Sequence, residues 1–426
     1  MMNQFTIILF TFLSLYHNAL SQTARYNTSV IPVVKDATTS LHKISLSFVV
    51  PDSDTKAYYL IDLDAPFTWY DCIIRHSEVA CGLEEGCRFP KRCDTTECKE
   101  ARNYINPDPT CPSLDLVAKY GCNICAVQPF NPISKTCKLS QLTTDLVNIR
   151  VTNGRSFSPG PNPIFGVEYV LSCAPKNILT SFPSGVRGVA SYSWSELSFI
   201  RQTHNPDQVD KLGLCLPSST SISSPGVSFL GEGPFYFTSS PNLDIRSVLL
   251  YTPMIRKTSK SLGYFIKIQG ISIEKTPVSL PLLKGSSVKL STVMPYTTLR
   301  SDIYKAVVTS FSEATKNIPK VKAIKPFSYC LKASAIGSVP SVDLVTESGK
   351  IWTISKNNLI KDAGNGAACL AFVDGGSGVK DPIVIGTFQM ENNFLFFDLK
   401  NQKLGFSSSL LARGISCSNF NFTQTN

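Results

Sequence analysis

Fourteen cysteines constrain this chain more than any other feature, and nine of them crowd into the segment from Cys72 to Cys137. That segment holds Cys72, Cys81, Cys87, Cys93, Cys98, Cys111, Cys122, Cys125 and Cys137; Cys173, Cys215, Cys330, Cys369 and Cys417 follow. Such a set is read either as a disulfide framework or as metal ligands, and the redox compartment decides between them. The N-terminus points to the compartment. Residues 1–21 contain no Lys, Arg, Asp or Glu, residues 5–15 form an apolar run, and Ala19 and Ser21 offer small residues before a cleavage point. A signal peptide over residues 1–21 is expected, with the mature chain starting at Gln22 and the protein secreted. The leader lacks the usual positive charge, and its apolar run is too short to span a bilayer comfortably. No later stretch approaches 18 apolar residues and residues 419–426 are polar, so neither a membrane nor a lipid anchor is expected. On the secretory route Cys122-x-x-Cys125 reads as disulfide rather than half a zinc site, and up to seven bridges are predicted with no metal or cofactor. Asn27 and Asn421 open N-glycosylation sequons, whereas Asn131 is excluded by Pro132.

At 426 residues, 43% hydrophobic and 17% charged, the chain has the balance of a globular protein of two domains or one bilobal unit. The net charge of +10 comes without a basic run, so nucleic acid is not an expected partner of a secreted chain. An acidic polysaccharide, an acidic protein or a wall surface fits better, with plain solubility as the alternative. The body reads as β-rich. Ile44, Leu46 and Phe48 alternate with Ser45 and Ser47, and residues 58–61, 165–173, 247–251, 263–268 and 270–273 are further strand candidates. Two helices are expected. One follows Ser301 as N-cap, with Ile303, Tyr304, Val307, Val308 and Phe311 on one face; the other opens on a capping box at Ser193–Glu196. Residues 72–137 form a stapled insert, and the two lobes are expected to be residues 22–245 and 246–426.

A weak internal repeat runs through the chain. An apolar strand leads to a polar turn at Asp62 and again at Ser291, and each is followed much later by an apolar-Gly stretch, residues 185–189 and then 383–386. The turn at residues 59–69, with Trp69 a few residues past Asp62, resembles the first catalytic strand-turn of pepsin-like aspartic proteases. Residues 288–295 resemble the second. Residues 382–387, 394–399 and 403–406 resemble the closing strands of that fold. Within the superfamily the chain is most similar to a plant subgroup of xylanase inhibitors, xyloglucan-specific endoglucanase inhibitors, extracellular dermal glycoproteins and basic 7S seed globulins. The marks of that subgroup are the Cys-rich insert, Tyr251-Thr252-Pro253, and the ending Gly405-Phe406-Ser407-Ser408 with Cys417. The resemblance implies a mainly β, bilobal pepsin-like fold, a bridge closing Cys330 to Cys369, and one tying Cys215 to Cys417.

It also implies a lost activity. Peptide hydrolysis on this fold uses two carboxylates that share a proton, one from each lobe, each in an Asp-Thr/Ser-Gly turn. The first lobe keeps Asp62 but follows it with Leu63 and Asp64, and the second offers Ser291-Thr292-Val293. Asp62 and Ser291 are thus vestigial positions, the flap region shows no Tyr, and a serine with no base beside it cannot replace an aspartate as acid and base. No nucleophile elbow or metal-spaced His pair offers a substitute. A pseudoenzyme is expected, acting as an inhibitor of microbial glycoside hydrolases of the endoglucanase or xylanase type in the apoplast or cell wall. Its alternatives are a working aspartic endopeptidase and a basic storage or peptide-binding globulin. Glycosidases carry two acidic residues across their clefts, and an arginine pairs with a carboxylate through two parallel bonds. The resemblance puts the contact on the loop before the last cysteine, where the xylanase inhibitors have His and this chain has Arg413. A second basic contact falls at Lys320.

Overall fold

The strands that matter most fall into two matching sets. In this computed structural model, residues 28–48, 57–72, 88–104, 108–114, 121–157, 164–203, 210–280 and 286–423 are described. In the first set Ala57–Asp62 runs parallel to Val186–Ser191, with Ser191 opposite Asp62, and Val186–Ser191 pairs antiparallel with Trp69–Asp71. In the second, Ser286–Leu290 runs parallel to Ile383–Ile385, which pairs antiparallel with Thr297–Leu299. The repeat in the sequence is this three-strand device used twice. Its distant glycines serve close approach. A Cβ on Gly188 would lie 2.0 Å from the Trp69 carbonyl oxygen, and one on Gly386 would lie 2.4 Å from the Tyr296 carbonyl carbon.

The two lobes share an antiparallel ladder. Thr28–Lys35 pairs with Gly226–Leu230, which pairs with Lys211–Cys215. Lys211–Cys215 then takes Phe394–Asp398 from the far end of the chain as its next neighbour, followed by Lys403–Phe406 and Leu250–Ile255. Beneath it Phe229, Phe235, Phe237 and Phe394 are fully buried and in mutual ring contact, with Phe229 and Phe235 centroids 4.7 Å apart. Each such ring contributes about 2–3 kcal/mol by leaving water. The architecture is mainly β, two-lobed and pepsin-like.

Six disulfides pin the frame: Cys72–Cys173, Cys93–Cys122, Cys98–Cys125, Cys111–Cys137, Cys215–Cys417 and Cys330–Cys369. Cys81 and Cys87, like the leader and Asn27, lie outside the described residues. Among the described residues no helix is long and apolar enough to cross a membrane.

Several sequence expectations are corrected. The helix over Ser301–Ala314 buries Ile303, Tyr304, Val307 and Phe311, but its N-cap is Arg300. Ser301 lies inside the first turn and its hydroxyl donates to Asp374 Oδ1 at 2.6 Å, so it caps nothing. The apparent capping box at Ser193–Glu196 opens no helix. Its serines are spent on turns: Ser193 Oγ donates to the Ala65 carbonyl at 2.7 Å, and Ser195 Oγ accepts from Leu197 N. Residues 245–248 are a 3₁₀ turn, and the strand begins only at Leu250. The two strands expected at 263–268 and 270–273 are one, Phe265–Ile273, broken by a register shift between Ile268 and Gly270. The insert holds a helix that its lack of periodicity concealed, Thr96–Arg102, capped by Thr95 Oγ1 accepting from Cys98 N.

Candidate functional site

Asp62 ends its strand and Ser291 immediately follows Ser286–Leu290, so the repeat delivers both to one cavity of about 360 Å³ between the lobes. Neither Asp64 nor Val293, where a glycine would be expected, adopts a positive φ. The backbone turn therefore forms without glycine, and the effect of these substitutions is on side chains. Leu63 is buried in the main apolar core instead of offering a hydroxyl. In the second lobe Thr292 Oγ1 still donates to the Ile61 carbonyl at 2.7 Å, a sealed bond across the lobe junction.

Nothing in the sequence hints at what Asp64 does. Its carboxylate forms an ion pair with Lys289 Nζ from the opposite lobe, across the cavity floor. Burial disfavours the Lys289 charge, but Asp64 outweighs it and the ammonium is held more firmly protonated than usual. Asp62 Oδ1 accepts from Asp64 N at 2.8 Å. Burial, reinforced by the Asp64 charge, pushes the Asp62 carboxyl up to about 6, against the opposing pull of that hydrogen bond, Lys289 and Lys135. Lys135 sits on the hairpin of Phe130–Asn131 with Thr136–Cys137, and Phe130, Pro132 and Lys135 line the cavity from that side.

Arg413 lies elsewhere. It is the last residue of the 3₁₀ turn Leu410–Arg413, exposed, and followed by Gly414 at φ 70°. Among the described residues it has no hydrogen-bond or ion-pair partner. The loop beneath it is tightly held: Leu410 N donates to the Asn392 carbonyl at 2.7 Å, and Asn392 Oδ1 accepts from Cys417 N at 3.0 Å and Ser416 Oγ at 3.1 Å. Next to Asn392, Glu391 Oε1 meets Lys35 Nζ at 2.8 Å with both side chains almost sealed from water. His42 stands beside this pair with Nε2 2.9 Å from the Pro217 carbonyl, and burial drives its pKa down to about 3, so it is neutral.

Lys320 is less free than its sequence position implies. It opens the short strand Lys320–Val321, and its ammonium donates to Ser312 Oγ at 2.7 Å and sits 5.3 Å from the Tyr329 ring centroid. Asn421 Oδ1 accepts from Thr423 N at 3.0 Å in an exposed local turn. Among the described residues no group of three His, Cys, Asp or Glu side chains is placed to hold a metal.

The fold and this cleft define a pepsin-like frame, and comparison with known proteins gives the family. The model of the xylanase inhibitor N-terminal region matches residues 47–232, and that of the xylanase inhibitor C-terminal region matches residues 263–408. The chain is 34% identical over 409 residues to gamma conglutin 1 of Prunus dulcis, covering 93% of this chain and 90% of that protein. It is 33% identical over 416 residues to chitinase CLP of Oryza sativa subsp. japonica, covering 92% and 91%. Among solved structures, edgp superposes with a TM-score of 0.79 at 30% identity over 93% of this chain and 98% of that one. The chain belongs to the xylanase-inhibitor family of inactive aspartic protease-like proteins.

Proposed function

We propose that this chain is a secreted protein of the plant cell wall that cuts no peptides and blocks a microbial glycoside hydrolase. Ser291 stands where the second carboxylate would be needed, and Asp62 alone cannot both hold and activate a water between two acids. The Asp64–Lys289 pair further fills the floor with a charge contact of its own. The observation that carries the inhibitory reading is Arg413, an exposed cation without a partner among the described residues, at the end of a turn anchored four residues later by Cys417. A pre-ordered loop loses little entropy on docking, and a guanidinium matches the paired carboxylates of a glycosidase cleft.

Arg413→Ala is expected to weaken inhibition of a xyloglucan-type endoglucanase by about 2 kcal/mol, roughly thirtyfold, and Arg413→Lys to recover only part. Inhibition constants for the three proteins against one enzyme decide the matter; an unchanged constant for Arg413→Ala removes the loop from the mechanism. Denatured casein is expected to survive incubation across the acidic range, and cleavage that disappears with Asp62→Ala would overturn the inactive reading. A basic storage or peptide-binding globulin is the second reading, supported by the gamma conglutin relative. Failure to inhibit any endoglucanase or xylanase, with high seed abundance, would favour it.

A further inference from the structure

The cavity between Asp62 and Ser291 is a site without an assigned occupant, and its lining describes one. Its walls are mostly apolar and aromatic, with Phe67, Trp69, Phe130, Val293 and Val384 facing the space. Three lysines and three aspartates also reach it. They do not cancel uniformly. Asp64 is taken by Lys289, and Asp381 by Lys257 from outside the cavity at 2.5 Å. That leaves Lys135 and Lys380 with no carboxylate in ion-pair range among the described residues. The third aspartate, Asp62, is the one that burial and Asp64 keep partly protonated in mildly acidic solution, which lessens its repulsion of an anion. A volume of about 360 Å³ suits a molecule of one or two rings rather than a folded partner.

We propose that this cavity binds a small amphiphilic acid, an aromatic ring carrying a carboxylate, with the ring against Phe67, Phe130 and Val384 and the carboxylate met by Lys135 and Lys380. An apolar body gains by leaving water, and the two exposed ammonium groups at the rim, without a counter-ion among the described residues, give an anionic end a place to sit while it stays hydrated. A cation is disfavoured because Lys135 and Lys380 are the full charges left without a counter-ion among the described residues, while Asp62 is partly protonated in mildly acidic solution. The site is separate from Arg413, which does not line the cavity.

The test uses the intact protein, titrated calorimetrically at pH 5.5 with 4-hydroxycinnamate and with its uncharged amide. The acid is expected to bind in the micromolar range, the amide at least tenfold more weakly. Lys135→Gln with Lys380→Gln, both at the surface of the pocket and harmless to the core, is expected to weaken the acid at least tenfold and leave the amide unchanged. Val293→Trp, which plugs the cavity, is expected to abolish binding of both, while Arg413→Ala leaves both unaffected. Absence of binding to wild type at millimolar acid overturns the proposal. So does equal affinity for acid and amide, or acid binding that survives the double lysine variant or the plugged cavity. No glycoside hydrolase is present in these titrations, so their failure leaves the inhibitory reading to its own assay.

Discussion

Removing the bridge between Cys215 and Cys417 tests whether the C-terminal loop is held by its covalent anchor. The bridge joins residues 202 apart, and both cysteines are fully buried. Chain-entropy reasoning gives a cross-link of that span about 5 kcal/mol, chiefly by restricting the unfolded ensemble. The bridge between Cys330 and Cys369 spans 39 residues and joins directly opposed residues of neighbouring strands. The same reasoning gives it about 4 kcal/mol. Replacing each pair by serines buries two hydroxyls in either case, so the difference between the two variants isolates loop length and local tethering. Urea unfolding without reductant is expected to show Cys215→Ser/Cys417→Ser as the less stable by about 1 kcal/mol, with a steeper dependence on urea because its unfolded chain is less restricted. Inhibition is expected to fall for that variant alone even where it remains folded, since only its loop carries Arg413. If Cys215→Ser/Cys417→Ser proves as stable as wild type, or if both variants inhibit equally, the Asn392 hydrogen bonds already fix the loop and the covalent argument is wrong.

Two further expectations concern the cleft. Asp62 has a folded-state pKa raised to about 6 from 3.8, so its contribution is fully present below about pH 4 and lost as pH rises through 6. Burial is the main cause, the Asp64 charge adds to it, and the Asp64 N hydrogen bond, Lys289 and Lys135 oppose it. Asp62→Asn should therefore gain about 3 kcal/mol relative to wild type between pH 3.5 and pH 7, read from paired denaturation curves; a constant difference across that range would refute the shift. Thr292→Val leaves the Ile61 carbonyl buried without its donor and is expected to cost about 1–3 kcal/mol, measured by thermal unfolding, whereas a neutral result would mean water reaches the lobe junction.

The parts of this fold that were legible in the sequence are those written locally. Residues 58–61 announce themselves because a strand buried in the core is an apolar run, and residues 383–386 because an apolar strand there leads into a glycine that another backbone closely approaches. The helix at Ser301–Ala314 is visible for the same reason, through its 3.6-residue stripe. Its cap was not, because Ser301 answers to Asp374 rather than to its own turn. The serines at 193 and 195 mimicked a helix start for an equally non-local reason, the Ala65 carbonyl. The floor of the cleft was least legible. Asp64 and Lys289 are 225 positions apart, and nothing in either neighbourhood marks them as partners. Arg413 entered through resemblance to a family; its exposure and its lack of partners among the described residues are findings of the structure.

The ladder that joins the lobes has a consequence for how the molecule is made. Lys211–Cys215 has its outer neighbour, Phe394–Asp398, and its sulfur partner, Cys417, in the last stretch to be synthesised. A ribosome adding roughly 5–20 residues per second takes on the order of 10–40 s to cover that gap. Through that interval the first lobe carries an open strand edge and a lone thiol, while the crowded cysteines of the insert are already present to capture it. A chain that lacks residues 394–417 therefore leaves the Lys211–Cys215 edge without its outer strand and Cys215 without its sulfur partner.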